Sequence, residues 1–256
     1  MRKRVIPVLQ ISGGKLVKTR RFRNPRYVGD PINAVKIFNE KGVDELILLD
    51  ISATAAGREP DYALIRDIAS EAFMPLGYGG GVTRLDQMRR LFSIGIEKIA
   101  VNYAALNGLA LIREAAAEFG SQSIVASVNL KRGFFRRQRE YVFDYLRMRA
   151  TDRDPLRFIA ELESAGAGEI LVTSVDRDGM MGGYEMEAIR QLAFAARVPL
   201  IALGGAGTLD HVREVLTATE ASAAAAGSLF VFQGPHRAVL IQYPAEDKLE
   251  EILRER

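Results

Sequence analysis

Two glycine clusters are the residues best placed to do chemistry: Gly79-Gly80-Gly81 and, 124 positions further on, Gly204-Gly205-Ala206-Gly207. Glycine lets main-chain N–H groups approach an anion, and a helix starting just beyond adds its dipole, so each cluster suits a phosphate. A tight turn alone would also use glycine there. The flanking residues argue that the clusters are counterparts. Met74-Pro75-Leu76 leads into the first and Val198-Pro199-Leu200 into the second, while Glu45, in Gly42-Val43-Asp44-Glu45-Leu46-Ile47, stands 124 positions before Glu169, in Gly166-Ala167-Gly168-Glu169-Ile170-Leu171. One offset shared by separate motifs, close to half of 256 residues, means two copies of one structural half. Gly95-Ile96-Glu97-Lys98-Ile99 adds a weaker quarter repeat. Two more apolar runs end at Asn102 and at Gly227-Ser228, so Gly80, Gly81 and Asn102 form one expected phosphate site, and Gly204, Gly205, Gly227 and Ser228 its counterpart.

Those glycines need strands that end at them. Short apolar runs at residues 5–9, 45–49, 74–78, 98–101, 124–128, 170–174, 200–203 and 222–226 are too continuously hydrophobic to be half-exposed, which is the pattern of buried parallel strands. Amphipathic stretches at 31–41, 62–73, 84–93, 109–119, 155–164, 185–195 and 209–218 lie between them. Asp30 before Pro31 and Asp154 before Pro155 supply an N-cap and a first-turn proline twice over. Eight strand-helix units in about 250 residues is the arithmetic of a closed barrel. The expected fold is α/β, one (β/α)8 TIM barrel over residues 1–256 built from two similar half-barrels, with its chemistry at the C-terminal ends of the strands. Residues 221–226, nearly all alanine, fit a close-packed eighth strand, and 246–256 a solvated terminal helix.

Composition narrows the chemistry. Without cysteine there are no disulfides, thiol nucleophiles or thiolate metal sites. His211 and His236 are the only imidazoles and read as ordinary helix or surface residues, so neither a metal nor a cofactor is expected. The basic start Met1-Arg2-Lys3-Arg4 precedes an apolar run that stops at Ile11, too short for a signal sequence or a membrane span. A cytoplasmic protein with no membrane partner is expected. Net charge is only +3, so what matters is where the cations cluster. Residues 15–26, read as a long loop after the first strand, hold six of them. Residues 131–149, after the fifth strand, hold seven, interleaved with Phe134, Phe135, Tyr141, Phe143 and Tyr145. Aromatics among arginines can bind nucleic acid by stacking and phosphate contacts. Both segments lie on the ligand face of the barrel, however, and the alternation of Tyr141, Phe143 and Tyr145 suits a small hairpin with one packed side, so no nucleic-acid partner is expected.

The half-repeat and its glycines resemble the cyclase subunit of imidazole glycerol phosphate synthase and, more loosely, the sister isomerase barrels of histidine biosynthesis. Arg4-Val5-Ile6-Pro7, Gly29-Asp30-Pro31, Leu49-Asp50-Ile51, Phe119-Gly120-Ser121-Gln122, Thr173-Ser174-Val175-Asp176-Arg177-Asp178-Gly179 and Gly204 to Gly207 carry the likeness. It implies a phosphorylated ligand held at both ends, with Asp178 and Gly179 joining the second phosphate site. It also implies a glutaminase partner, a class I glutamine amidotransferase, whose ammonia crosses the barrel to a bisphosphorylated ribulose-like substrate. That family's general acid and base are aspartates ending strands 1 and 5; the matching positions here are Gln10 and Asn129. An amide exchanges hydrogen bonds but has no usable pKa. General acid-base catalysis is worth about 10²- to 10⁴-fold, so cyclase turnover should be negligible. Lys18, Asp50 and Asp176 remain as candidate catalytic side chains, although aspartates at strand ends also cap helices or hold ligand hydroxyls.

Arg4, Glu45, Lys98 and Glu169 open strands 1, 2, 4 and 6, so their side chains can meet at the barrel floor. In the resembling family the matching four form a salt-bridged gate for ammonia. A ring of two cations and two anions could equally just seal the floor, but apolar residues would do so at lower desolvation cost. Keeping all four while replacing both aspartates resembles a paralogous branch associated with amidation of bacterial surface sugars, in which barrel and glutaminase supply nitrogen to a separate sugar amidotransferase. Lys18-Thr19 and the stretch from Arg26-Tyr27-Val28 to Ile32-Asn33-Ala34 look like that branch. Three readings therefore stand: a nitrogen-transfer subunit without its own cyclase activity, an authentic cyclase, and a non-catalytic scaffold.

Overall fold

The computed structural model describes residues 3–133 and 140–253. Phe134, Phe135, Arg136, Arg137 and Arg139 of the second basic segment, and residues 254–256 of the expected terminal helix, lie outside the described residues. In chain order the elements are β1 (Arg4–Ser12), β2 (Lys15–Arg20), β3 (Arg23–Gly29), α1 (Pro31–Glu40), β4 (Leu46–Asp50), α2 (Tyr62–Ser70), β5 (Leu76–Gly79), α3 (Leu85–Ile94), β6 (Lys98–Val101), α4 (Tyr103–Asn107), α5 (Ala110–Phe119), β7 (Ile124–Arg132), β8 (Glu140–Asp144), β9 (Arg149–Ala150), α6 (Pro155–Ser164), β10 (Glu169–Ser174), α7 (Met186–Ala195), β11 (Leu200–Leu203), α8 (Leu209–Thr217), β12 (Ala223–Ala226), α9 (Ser228–Val231), β13 (Phe232–Gln233), β14 (Ala238–Val239) and α10 (Glu246–Leu253).

Eight of these strands, β1, β4, β5, β6, β7, β10, β11 and β12, pair in parallel in that order, and β12 returns to β1, closing a (β/α)8 barrel. The continuous apolar runs have a direct cause. One set of alternate side chains points into the barrel and the other meets the helix layer, so both faces of each strand are buried. Ile6, Val8, Ile47, Val125, Leu171 and Ile201 fill the inside, whereas Val5, Leu9, Leu46, Ile170 and Leu200 belong to the larger core beneath the helices. Ala223 to Ala226 are all buried, as a close-packed last strand requires. The proline-first helices start as expected: Asp30 accepts from Asn33 N at 2.8 Å and Asp154 from Arg157 N at 3.1 Å.

Three expectations need correction. The first basic segment is not a loop but an antiparallel hairpin, β2–β3, continuing from β1 with Gln10 opposite Val17. Gly13 and Gly14, at φ 56° and 75°, make the two-residue turn that joins β1 to β2, a signal that was visible in the sequence. The β7–β8 hairpin forms, but Val142 and Phe143, on opposite faces, are both buried, because β8 is covered by α6 and Lys131 lies over the Phe143 ring. The terminal helix is amphipathic rather than solvated, and Leu249 and Ile252, three apart, turn into the core. No described helix is long and apolar enough to cross a membrane.

Candidate functional site

At the floor, Arg4, Glu45, Lys98 and Glu169 close into one ring. The Arg4 guanidinium donates to Glu45 at 2.5 Å and to Glu169, and the Lys98 ammonium donates to Glu45 at 2.8 Å and to Glu169 at 2.9 Å. Both carboxylates are buried, and the two cations reach them from residues 41 to 165 positions away. Burial acts to lower the Arg4 pKa, but Glu169 and Glu45 outweigh it and hold the guanidinium above its usual value. Above the ring lies an apolar layer of Ile6, Ile47, Val125, Leu171 and Ile201.

At the mouth is a cavity of about 180 Å³, floored by Val8, Leu49, Ala100 and Leu203 and open between the strand ends. Gln10 and Asn129 both line it. Gln10 Oε1 accepts from Thr19 N at 2.9 Å and from Lys18 Nζ at 3.3 Å, which fixes the amide as an acceptor for the β2 hairpin. Asn129 Nδ2 donates to Asn102 Oδ1 at 3.4 Å, and Asn102 Nδ2 donates to Ser127 O at 2.6 Å. Among the described residues the buried charge pair here is Lys18 with Asp178, at 2.5 Å, and Asp178 also accepts from Thr19 Oγ1 at 2.6 Å. Burial pushes the Lys18 ammonium below its usual pKa, and Asp178 opposes that shift.

The expected phosphate residues Gly80, Gly81, Asn102, Asp178, Gly179, Gly204, Gly205, Gly227 and Ser228 all line this cavity, on two sides of it. Gly80 and Gly205 show why glycine is required here. A Cβ on Gly80, at φ 128°, would lie 2.4 Å from Asp50 O, and one on Gly205, at φ 115°, would lie 2.1 Å from Gly183 O. The Ser228 hydroxyl is buried and has no hydrogen-bond partner among the described residues, so it is a donor left for something else. Asp50 lines the cavity, but its Oδ1 accepts from Ser52 N, Ser52 Oγ and Ala53 N, the work of a turn. Asp176 stands apart from the cavity lining and accepts from Arg132 N at 2.9 Å, so the structure does not bring it to Gln10 and Asn129.

Thr19, Phe22, Thr54 and Tyr145 are among the lining residues that sequence reasoning missed. In the sequence Thr19 stands beside Lys18 and Tyr145 ends an alternation, and neither pattern says that two hairpins fold inward over one mouth. Among the described residues no group of three histidine or carboxylate side chains is arranged to hold a metal ion.

Fold and site together define a barrel of two half-repeats with a charged floor and a glycine-rimmed mouth. The model of the histidine biosynthesis protein family matches residues 4–236, and the chain belongs to that family. A Pseudomonas aeruginosa protein provisionally named imidazole glycerol phosphate synthase subunit hisF2 is 49% identical over 250 residues, covering 98% of this chain and 99% of the relative. A Leptospira borgpetersenii protein with the same provisional subunit name, HisF, is 46% identical over 95% of this chain and 96% of its own, and a Vibrio vulnificus hisF3 is 42% identical over 99% and 97%. Within the family the chain is therefore a HisF-type member.

Proposed function

We propose that this chain is the barrel subunit of a glutamine-dependent amidotransferase assembly: it takes ammonia from a class I glutaminase subunit at its floor and releases it at its mouth to a separate sugar amidotransferase, without cyclase turnover of its own. The observation that carries this reading is an intact four-residue ring beneath a mouth whose two acid-base positions are amides, one of them, Gln10, bound to Thr19 and Lys18. Ammonia is small and neutral, so once the ring parts it crosses the apolar layer that ammonium, a charge without a partner there, cannot. Lys98 is the member of the ring suited to part, because Arg4 holds both carboxylates when the lysine swings away. Phe73 and Phe194, 85% and 83% exposed, flank the starts of β5 and β11 at the same end, as a partner's docking face would have them. The mouth cavity, about 180 Å³, is below the roughly 300–1,000 Å³ of small-molecule sites. Its glycines and the free Ser228 hydroxyl suit the phosphate of a ligand that binds there without being cyclised.

The names carried by the relatives favour a second reading, an authentic cyclase subunit. One experiment separates the two. The purified chain and its glutaminase are given glutamine and the bisphosphorylated ribulose-like substrate. Glutamate and ammonia without imidazole product are expected, with product rising at least about tenfold when Gln10→Asp and Asn129→Asp are combined. Imidazole formation at an ordinary enzymatic rate by the unmodified chain would refute the proposal.

A further inference from the structure

One surface of the molecule is used by neither the ring nor the cavity. Residues 15–29 and 227–245 contain no aspartate or glutamate, although the chain has 32 acidic residues in 256. The two segments meet at the rim of the mouth. The Arg26 guanidinium lies 5.2 Å from the centre of the Phe232 ring, and Phe232 is paired with Val239 across the β13–β14 hairpin. Arg237, on the same hairpin, donates to Gly179 O at 2.9 Å and to Met180 O at 3.3 Å, while Arg20 reaches Met180 Sδ at 3.7 Å. Among the described residues none of Arg20, Arg23, Arg26 and Arg237 is paired with a carboxylate. Burial, with Arg20 and Arg26 adding repulsion, lowers the Arg237 pKa, so the cluster carries an uncompensated positive field.

The surface is also apolar. Tyr27 is 61% exposed on β3, Val239 43% and Leu240 47% at the end of β14, and β3 and β14 each pair on one side only. Exposed arginine, tyrosine and aliphatic side chains together are the composition of a protein interface. A bare phosphate would use the arginines but gain nothing from Val239 or Leu240. Phe73 and Phe194 are at the other end of the barrel, so this patch is separate from the floor.

We propose that the rim formed by β3 and the β13–β14 hairpin docks an acidic face of the enzyme that consumes the ammonia. The identity of that partner rests on the nitrogen-delivery reading; the surface and its charge do not. Gly179, which Arg237 holds, lines the cavity, so an enzyme seated here covers the exit and receives ammonia before it reaches solvent.

The test uses the chain–glutaminase complex and, as probe, a purified sugar amidotransferase, the acceptor enzyme that the nitrogen-delivery reading requires. Binding is measured by biolayer interferometry at low and high salt for the unmodified complex, for Arg23→Glu with Arg26→Glu, for Arg237→Glu and for Val239→Ser with Leu240→Ser. Each variant is expected to lose at least about tenfold in affinity while glutamine hydrolysis is unchanged, and the unmodified pair to weaken by about tenfold as salt rises. Should Arg237→Glu fold poorly, the exposed Arg23 and Arg26 pair decides the matter alone. Equal binding by unmodified and variant complexes overturns the surface and leaves nitrogen delivery standing; imidazole production by the unmodified complex removes nitrogen delivery instead. No binding by the unmodified complex, or saturation of the arginines by inorganic pyrophosphate with the amidotransferase unaffected, also overturns the docking assignment.

Discussion

Replacing Lys98 by methionine asks whether the floor ring is a gate or only a plug. Its ammonium bonds Glu45 at 2.8 Å and Glu169 at 2.9 Å, so its loss turns a neutral ring of two cations and two anions into one with an excess negative charge. Breaking a buried pair costs about 3–5 kcal/mol. Here the lysine side chain is 23% exposed and Arg4 still holds both carboxylates, so about 2–3 kcal/mol is expected. For a chain of this size that lowers Tm by roughly 4–12 °C. Adding Glu45→Gln to Lys98→Met restores neutrality around the remaining Arg4–Glu169 pair and should recover about half of the lost stability. Transfer is followed with ¹⁵N-amide glutamine in excess unlabelled ammonium, comparing glutamate formed with labelled product. A gate predicts that both variants lose transfer, about tenfold or more, although the double variant regains stability. Transfer within about twofold of the unmodified complex in both variants would show the ring to be a plug, and an unchanged Tm for Lys98→Met would sink the energetic reasoning.

Three further perturbations follow from the mouth. Ser228→Ala removes a hydroxyl with no partner among the described residues, so stability should stay within about 0.5 kcal/mol while inorganic phosphate binding, followed by calorimetry, weakens roughly five- to tenfold. Asp178→Asn leaves the buried Lys18 ammonium without its counter-charge and should cost about 3–5 kcal/mol in urea unfolding, and Lys18→Met added to it should recover part of that. The Glu140 carboxyl is pushed up to about 7 by burial, with Glu185 and Asp176 adding repulsion, against 4.5 when unfolded. The folded state therefore holds the proton more tightly, and stability is present below about pH 4.5 and lost as pH rises through about 7. Because the group is partly exposed, about 1 kcal/mol survives solvent screening, and Glu140→Gln should raise the urea midpoint at pH 8 and flatten that slope.

The barrel was legible because its evidence is local and repeated. Each parallel strand is buried on both faces and so reads as an unbroken apolar run, and the caps at Asp30 and Asp154 depend only on neighbours three residues away. The β2–β3 hairpin is hidden by charges that read as a solvent-facing loop, although Gly13-Gly14 announces the turn before it. Lys18 is buried despite its charge only because Asp178, 160 residues away, meets it. No window along the chain contains both.

What the amino-acid order determined alone was the two-fold repeat, the eight strand-helix units, the glycine-lined strand ends and the amides at positions 10 and 129, all properties of short segments or of one fixed offset. Closure of the barrel decided the rest. The period of two along β1 puts Arg4, Ile6, Val8 and Gln10 on one face, but that this face looks inward, that Lys98 falls between Glu45 and Glu169, and that Asp176 misses the mouth while Asp178 enters it depend on how eight strands tilt around one axis. Ion pairs and cavities form where distant segments converge, and convergence is a property of the closed sheet rather than of any stretch within it.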